Sequence, residues 1–269
     1  MFKQSNLGIH SPEPLEADDY EGIRAALRTD GVCVIQNILS QEDQRSFLNS
    51  FWNAIETRKK AISRTDISTW TPENTDWHGT YGAGQYKHYG MAQEKHCWQI
   101  RSCAKIRQVF ERGVYATPPC GSEDDQYTPE ECCVSLDGAA AMFRPAVSGL
   151  QLHVDQVPGL EGADFGGVQC AYNLYPVEVG ADGTRATAGF VCVVGSHQQY
   201  DAMWTARAQN PAFKMPTKHW HELEPDSPLQ SQASLVTSPG NCLVLWRSDL
   251  LHKNYGGDFA PADLPPGGE

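Results

Sequence analysis

The chain has 269 residues, 40% of them hydrophobic, so it is long enough to bury a sizeable core in one domain or two. Its formal net charge of −12 argues against electrostatic binding to nucleic acid or to an anionic membrane surface. No stretch approaches the roughly 20 apolar residues of a membrane span. The 24 glycines and 17 prolines indicate many turns and favour a β-rich fold over a helical bundle.

The cysteines and the amino terminus bear on location. The 9 cysteines include no CxxC pair, and the first ten residues lack the apolar segment of a secretory signal. We therefore expect free thiols in a reducing compartment, and an intracellular, cytoplasmic protein.

After a loose tail over residues 1–14, the sequence predicts two helices separated by a short strand. Apolar residues at helical spacing predict a helix over 15–27, which ends at an Asp-Gly pair. The β-branched run 32–35 predicts a strand. Ser40, followed by Asp43, predicts the N-cap of a second helix with a buried apolar stripe.

The middle of the chain is less regular. Residues 66–95, rich in Gly, Tyr, Trp and His, predict a long ordered loop. A further helix is predicted over Ser102–Tyr115, followed by a turn-rich connection over 116–131. His78, His88 and His96 of this region could line a substrate pocket or lie exposed at the surface.

From residue 132 onward the sequence predicts short strands separated by turns. The runs are 132–136, 150–154, 168–175, 188–194, 234–237 and 242–247, with one helix near 198–208. This pattern is typical of a β-sandwich or jelly roll. We expect a single β-rich α+β domain, in which a helical part over 15–131 packs on a jelly-roll core over 132–256 and a tail follows from 257.

One motif carries the chemistry. In the run GLQLHVDQ, His153 and Asp155 are two residues apart, so in a strand both side chains point to the same face. His252, which follows another apolar run, supplies a third ligand from a distant strand. Two histidines and one carboxylate form the facial triad of non-haem Fe(II) oxygenases, which leaves positions open for a bidentate 2-oxoacid and for O2.

These residues resemble the phytanoyl-CoA dioxygenase family of Fe(II)/2-oxoglutarate-dependent oxygenases. The resemblance rests on LHVDQ at 152–156, GFVCVVGSHQ at 189–198, SPGNCLVLWRSDLLHKN at 238–254 and DGVCVIQNILSQED at 30–43, together with WQIRS at 98–102. It implies a double-stranded β-helix that hydroxylates a small-molecule substrate with Fe(II), 2-oxoglutarate and O2, releasing succinate and CO2. Because Asp155 is present, hydroxylation or desaturation is favoured over halogenation.

The resemblance also implies contacts to the co-substrate. A basic residue falls at Arg101, a polar strand residue at Gln169, an aromatic residue at Tyr172 and a polar residue at Asn254. Gln169 and Tyr172 have opposite strand parity, so we expect at most one of them to face the pocket unless a bulge intervenes.

The sequence departs from the family pattern after His252. Family members usually hold the far carboxylate of 2-oxoglutarate with an arginine downstream of the distal histidine, but the last 17 residues contain none. They also look unlike a strand, so the final core strand is expected to be absent. Three explanations stay open: a truncated chain, a substitute among Arg101, Arg144, Arg247 and Lys253, or a metal-binding module that does not use 2-oxoglutarate.

The other histidines of the carboxyl-terminal half receive simpler interpretations. His197, in the Gly-Ser-His turn, is expected to be structural. His219 and His221 lie in a turn-rich segment, where a surface or substrate-lid role is favoured over a second metal site. The substrate and the oligomeric state cannot be inferred from these residues.

Overall fold

The structure of the protein is a computed structural model that describes residues 7–71, 74, 85–86, 90–115, 139–140, 151–156, 167–181, 183, 185–209 and 221–258. The strand predicted at 132–136 lies outside these residues. So do the whole connection predicted over 116–131 and residues 259–269 of the predicted tail.

The first elements follow the prediction, except that the helix expected over 15–27 begins five residues later and Leu15 forms a β-bridge with Ile35. Helix α1 (Tyr20–Thr29) begins at Asp19, whose side chain accepts a hydrogen bond from the Gly22 amide. Strand β2 (Val32–Ile35) is buried along its whole length. Helix α2 (Gln41–Arg58) begins at Ser40, whose Oγ accepts from the Asp43 amide at 3.1 Å. The predicted strand and the predicted N-cap are confirmed.

The helix predicted over Ser102–Tyr115 is present over 104–114, and a break at 102–103 separates it from a preceding helix. Helix α3 (Lys95–Arg101) ends first, and α4 (Ala104–Gln108) then continues into a π-helical turn over Val109–Val114. The break lies where the Ser102 hydroxyl donates to the Trp98 carbonyl at 2.7 Å and Cys103 is extended. A serine that hydrogen-bonds back to the preceding turn competes with helix continuation.

Among the described residues, six strands form the larger sheet, in the order β1-β9-β7-β11-β5-β8. The strands are β1 (Gly8–His10), β5 (His153–Val154), β7 (Gly189–Cys192), β8 (His221–Glu222), β9 (Ser234–Val236) and β11 (His252–Tyr255). Strand β1 runs parallel to β9, and the other pairs are antiparallel. Helix α5 (Tyr200–Ala208) lies between β7 and β8 in the chain.

A smaller sheet has the order β2-β10-β6, with β6 (Val168–Asn173) and β10 (Cys242–Arg247) joining β2. Both of its pairings are antiparallel. A separate two-stranded pair joins β3 (Gln85–Tyr86) to β4 (Ala139–Ala140).

The larger and the smaller sheet share a buried apolar cluster, which we call the inter-sheet core. It contains side chains of both sheets: Val32, Val34, Phe190, Cys192, Val236, Cys242, Val244 and Leu250, with Trp246 packed against it. Alternate residues of each strand point away from this core. On the smaller sheet they meet α1 through Ile23 and Leu27, and on the larger sheet they meet α5 through Trp204.

This mixed α+β architecture differs from the predicted division in two respects. Strands β1 and β2 belong to the amino-terminal part of the chain, yet they pair with β9 and β10, so the boundary expected at residue 132 does not separate the sheets. The expectation that the residues after His252 do not form a strand is wrong for 253–255, which continue β11 beside β7. In the part of the chain that the structure describes, no helix combines the length and the hydropathy of a membrane span.

Candidate metal centre

His153, Asp155 and His252 converge on the inner side of the larger sheet. His153 and His252 are direct partners across β5 and β11, and their ring centroids lie 4.4 Å apart. Asp155 approaches both: Oδ1 lies 3.8 Å from His153 Nε2, and Oδ2 lies 3.5 Å from His252 Nε2. Each residue offers a ligand atom, all within 4.8 Å of one another, and no other such group of His, Cys, Asp and Glu occurs among the described residues.

Both imidazoles are held in the same tautomer by their own backbone. His153 Nδ1 lies 2.8 Å from the Gln151 carbonyl, and His252 Nδ1 lies 2.9 Å from the Leu250 carbonyl. A carbonyl oxygen can only accept, so each Nδ1 must carry a proton. The lone pair of a neutral ring is then on Nε2, the nitrogen that faces Asp155, and this arrangement is typical of histidines that bind metal.

Asp155 is fixed by contacts to β6 and to the turn after β10. Its Oδ2 accepts a hydrogen bond from Gln169 Nε2 at 2.8 Å, and its amide donates to the Ser248 carbonyl at 2.9 Å. Gln169 Oε1 in turn accepts from Trp246 Nε1 at 2.7 Å. Asp155 is therefore held through both its carboxylate and its backbone amide.

The turn that leads into β11 positions His252. The Leu251 amide donates to Ser196 Oγ at 2.9 Å, from the Gly-Ser-His turn that follows β7. Arg247 and the buried Asp249 form a bidentate ion pair, with contacts of 2.8 and 2.6 Å, across the start of this turn. Strand β11 therefore begins from a turn that its own ion pair braces and that Ser196 ties to the segment after β7.

The electrostatics of the group suit a bound cation. Burial lowers the pKa of His153, and the neighbouring His252 lowers it further, so that ring is neutral near pH 7. Burial alone would raise the pKa of Asp155, but the adjacent His252 and the hydrogen bond from Gln169 outweigh it and hold that pKa below its ordinary value. An ionised carboxylate thus stands beside the neutral ring of His153.

Geometry and chemistry together fit one divalent transition-metal ion. Two atoms bound to the same ion at about 2.1 Å lie about 3 to 3.5 Å apart, close to the Nε2–Oδ separations seen here. Two imidazoles and one carboxylate form the donor set of non-haem Fe(II) sites, and they leave open positions on the ion.

The structure separates the two β6 residues predicted to contact the co-substrate. Gln169 points inward and binds Asp155. Tyr172 lies on the helix-covered face, where its hydroxyl donates to Asn241 and its ring packs on Phe47. The strand alternation that made them unlikely neighbours in one pocket accounts for this separation.

The other predicted contact residues are spread over the molecule. Asn254 is opposite Phe190 of the inter-sheet core, two residues from His252, and so lies on the side of the metal centre. Arg101 lies on α3, where it binds the Ala92 carbonyl and stacks over Trp98. We therefore do not place Arg101 in the site.

The structure describes two of the residues proposed to replace the family's carboxylate-binding arginine. Arg247 is paired with Asp249. Lys253 is opposite Val191, on the outer face of the larger sheet. Arg144 lies outside the described residues.

The other histidines singled out in the sequence either make packing or backbone contacts or lie outside the described residues. His197 Nε2 lies 2.9 Å from the Arg28 carbonyl and connects the turn after β7 to α1, a structural contact. His221 belongs to β8 and packs on Trp204. His96 is fully buried between Phe47 and Phe51. His78, His88 and His219 lie outside the described residues.

Trp246 and Ser196 were not predicted as site residues from the sequence. A tryptophan in the apolar run CLVLWR reads as a core residue, and nothing local shows that its N–H meets a glutamine on another strand. Strand alternation could have placed Trp246 and Val244 on one face, but not identified the partner.

Comparisons with known proteins support the fold alone. No protein-family model and no curated protein matches the sequence. The crystal structure of GlcNAc Inducible Gene 2 (GIG2, DUF1479) from Candida albicans matches with a TM-score of 0.60 at 10% identity. The match covers 93% of this chain and 63% of that one, so this chain spans less than two thirds of the length of that protein.

A second solved structure is similar at a lower level. It is the non-heme alpha ketoglutarate dependent carbocyclase SnoK from nogalamycin biosynthesis, with a TM-score of 0.49 and 12% identity over 92% of this chain and 82% of that one. That level of similarity supports no inference about this chain. The resemblance to the phytanoyl-CoA dioxygenase family stays a prediction.

Proposed function

We propose that this protein is an Fe(II)/2-oxoglutarate-dependent oxygenase of the phytanoyl-CoA dioxygenase type, with a double-stranded β-helix core, that hydroxylates a small molecule. The observation that carries the proposal is the convergence of His153, Asp155 and His252, with both Nε2 atoms facing the carboxylate. Two sheets that enclose an apolar core around this group are consistent with the proposed core.

Each ligand has a defined part in the proposal. His153 and His252 would bind iron through Nε2, because Nδ1 is occupied by a backbone carbonyl. Asp155 would add one negative charge and offset part of the charge of the ion. Iron bound there supplies O2 activation coupled to decarboxylation of 2-oxoglutarate, which yields succinate, CO2 and a hydroxylated product.

The surrounding residues would shape the space next to the metal. The Phe190 and Trp246 rings lie 4.5 Å apart, and each centroid is 5.6 Å from that of His252. These rings form an apolar wall, which excludes water and strengthens electrostatic interactions inside the site. Asn254, on the same side, is our proposed polar contact for 2-oxoglutarate.

A second candidate is a metal-binding module that does not use 2-oxoglutarate. The positions of Arg247 and Lys253 favour it, since the first is paired with Asp249 and the second lies on the outer face. Both candidates predict metal binding, and they differ in whether a 2-oxoacid joins the ion.

Anaerobic titration of the Fe(II)-loaded protein with 2-oxoglutarate separates the two candidates. Chelation of the iron by a 2-oxoacid gives a weak visible charge-transfer band, and we expect that band to saturate. In His252→Ala the band should be absent, whereas in His197→Gln, which changes a structural histidine, it should persist. Iron binding without a band would instead favour the metal-binding module.

A further inference from the structure

A chain of two hydrogen bonds, from Trp246 to Gln169 and from Gln169 to Asp155, connects the smaller sheet to the metal centre. These residues are direct partners across β6 and β10, so both side chains point to the same face of the smaller sheet. Trp246 donates to Gln169 Oε1 at 2.7 Å, and Gln169 donates to Asp155 Oδ2 at 2.8 Å. The smaller sheet thus reaches Asp155, which directly follows β5 of the larger sheet.

The direction of this chain of hydrogen bonds is fixed by chemistry. An indole N–H can only donate, so the oxygen of the Gln169 amide must face Trp246. The NH2 group must then face Asp155. Without the indole N–H, the amide could rotate by half a turn and present its oxygen to the carboxylate, which is a repulsive contact between two acceptors.

Trp246 itself is held by packing. Its ring lies against Phe190 and near His252, next to the inter-sheet core. A donor locked by packing fixes a hydrogen-bond direction more firmly than a solvent-exposed one. The core between the sheets therefore sets the orientation of the Gln169 amide.

We propose that Gln169 and Trp246 are positioning residues for the metal ligand Asp155. The inference rests on the proposed metal site and deepens it. Because Oδ2 is engaged by Gln169, Asp155 is directed to bind the ion mainly through one oxygen. Binding through one oxygen keeps three positions of an octahedral ion open, as a co-substrate and O2 require.

The test measures Co(II) binding, which needs neither substrate nor turnover. Affinity comes from competition with a chelator, and the visible d–d spectrum reports the coordination of the ion. Trp246→Phe keeps an aromatic ring and removes the N–H, while Gln169→Leu removes the amide. We expect each to weaken Co(II) binding about tenfold, the lower end of the usual effect of residues that orient metal ligands, and to change the spectrum.

The double variant distinguishes positioning from packing. If Trp246 acts through Gln169, then Gln169→Leu/Trp246→Phe binds Co(II) no more weakly than Gln169→Leu alone. Losses that multiply would show that Trp246 acts independently and would overturn the proposal. Gln169→Met, which keeps the side-chain length, provides a second variant if Gln169→Leu fails to fold.

Two matched controls address stability and location. Val244→Ala removes buried packing from the same face of β10, and Tyr172→Phe removes a hydroxyl from the opposite face of β6. Both should bind Co(II) as the unmodified protein does. Unchanged binding in the Gln169 and Trp246 variants would refute the positioning role and leave the metal site intact, whereas an unmodified protein that binds no Co(II) would overturn both.

Discussion

His153 and His252 are direct partners on neighbouring antiparallel strands, and their rings lie 4.4 Å apart. Strands β5 and β11 are joined by few residues, because β5 has only two. An ion bound by both histidines would therefore cross-link a short strand to the centre of the sheet.

The first prediction is that metal stabilises the fold through this cross-link. A metal ion at a free concentration of one hundred times its dissociation constant adds about 2.7 kcal/mol to the free energy of unfolding, if it binds only the folded state. Thermal unfolding with Co(II) and with a chelator measures the shift. We expect an increase in the melting temperature for the unmodified protein and none for His252→Ala, and an equal shift in both would place the ion elsewhere.

The second prediction concerns Ser196, which accepts the Leu251 amide next to His252. Ser196→Ala leaves that buried amide without this acceptor, at a cost of about 1 to 3 kcal/mol in the free energy of unfolding. Co(II) affinity should also fall, since the turn before His252 loses a restraint. Ser231→Ala is the control, because Ser231 is exposed and its Oγ donates to the Pro228 carbonyl of its own helical turn. Equal effects in the two variants would contradict the prediction.

The third prediction separates the two faces of β11. Asn254 lies on the side of the candidate metal centre and Lys253 on the outer face. If Asn254 contacts 2-oxoglutarate, the loss of one hydrogen bond in Asn254→Ala should weaken its binding about fivefold, while Fe(II) affinity stays unchanged. Lys253→Met keeps the apolar stem of the side chain and should leave both affinities unchanged. A stronger effect from Lys253→Met would point to the lysine as the anchor.

The fourth prediction is a loss of stability in mild acid that originates at His96. Burial is the main cause that lowers its pKa from 6.5 to about 4, and the Phe47 and Phe51 rings enclose it. Because the folded pKa lies below the unfolded one, the unfolded state binds the proton first as pH falls. Stability present above pH 6.5 is then lost towards pH 4, by about 3 kcal/mol for this group.

Urea unfolding at pH 7 and at pH 4.5 measures this effect. His153, His197 and His221 have pKa values lowered by burial as well and add losses of the same sign, so variants are needed to isolate His96. His96→Gln and His96→Leu cannot titrate, and both should lose less stability than the unmodified protein between the two pH values. Identical losses would assign the acid sensitivity to other groups.

The sequence predicted elements best where the local pattern and the packing agree. Val32–Ile35 and Cys242–Arg247 are buried strands with strongly apolar runs, and the structure confirms both. Strand β11 was missed because Lys253, Asn254 and the two glycines after Tyr255 have weak strand preference. Pairing with β7 on one side and β5 on the other outweighs that preference.

For the candidate site, the sequence was sufficient for the pair His153 and Asp155 at the end of β5 and insufficient for the residues around it. The spacing of two residues, together with strand geometry, was enough to predict that His153 and Asp155 point to the same side. The hydrogen bond from Trp246 to Gln169 depends on the register between β6 and β10, which no local pattern encodes. Long-range register also decides that Arg247 meets Asp249 and that Tyr172 faces the helices.

The ends of the larger sheet bear on self-association. In the described residues its outermost strands are β1, with three residues, and β8, with two. Short outer strands offer few unpaired backbone groups to a second molecule, which is one way in which proteins avoid edge-to-edge aggregation. Strand β1 also covers β9, whose Ser234, Leu235 and Val236 would otherwise form the margin of the sheet. The segment at 8–10 thus occupies backbone groups of β9 that could otherwise pair with a strand of a second molecule.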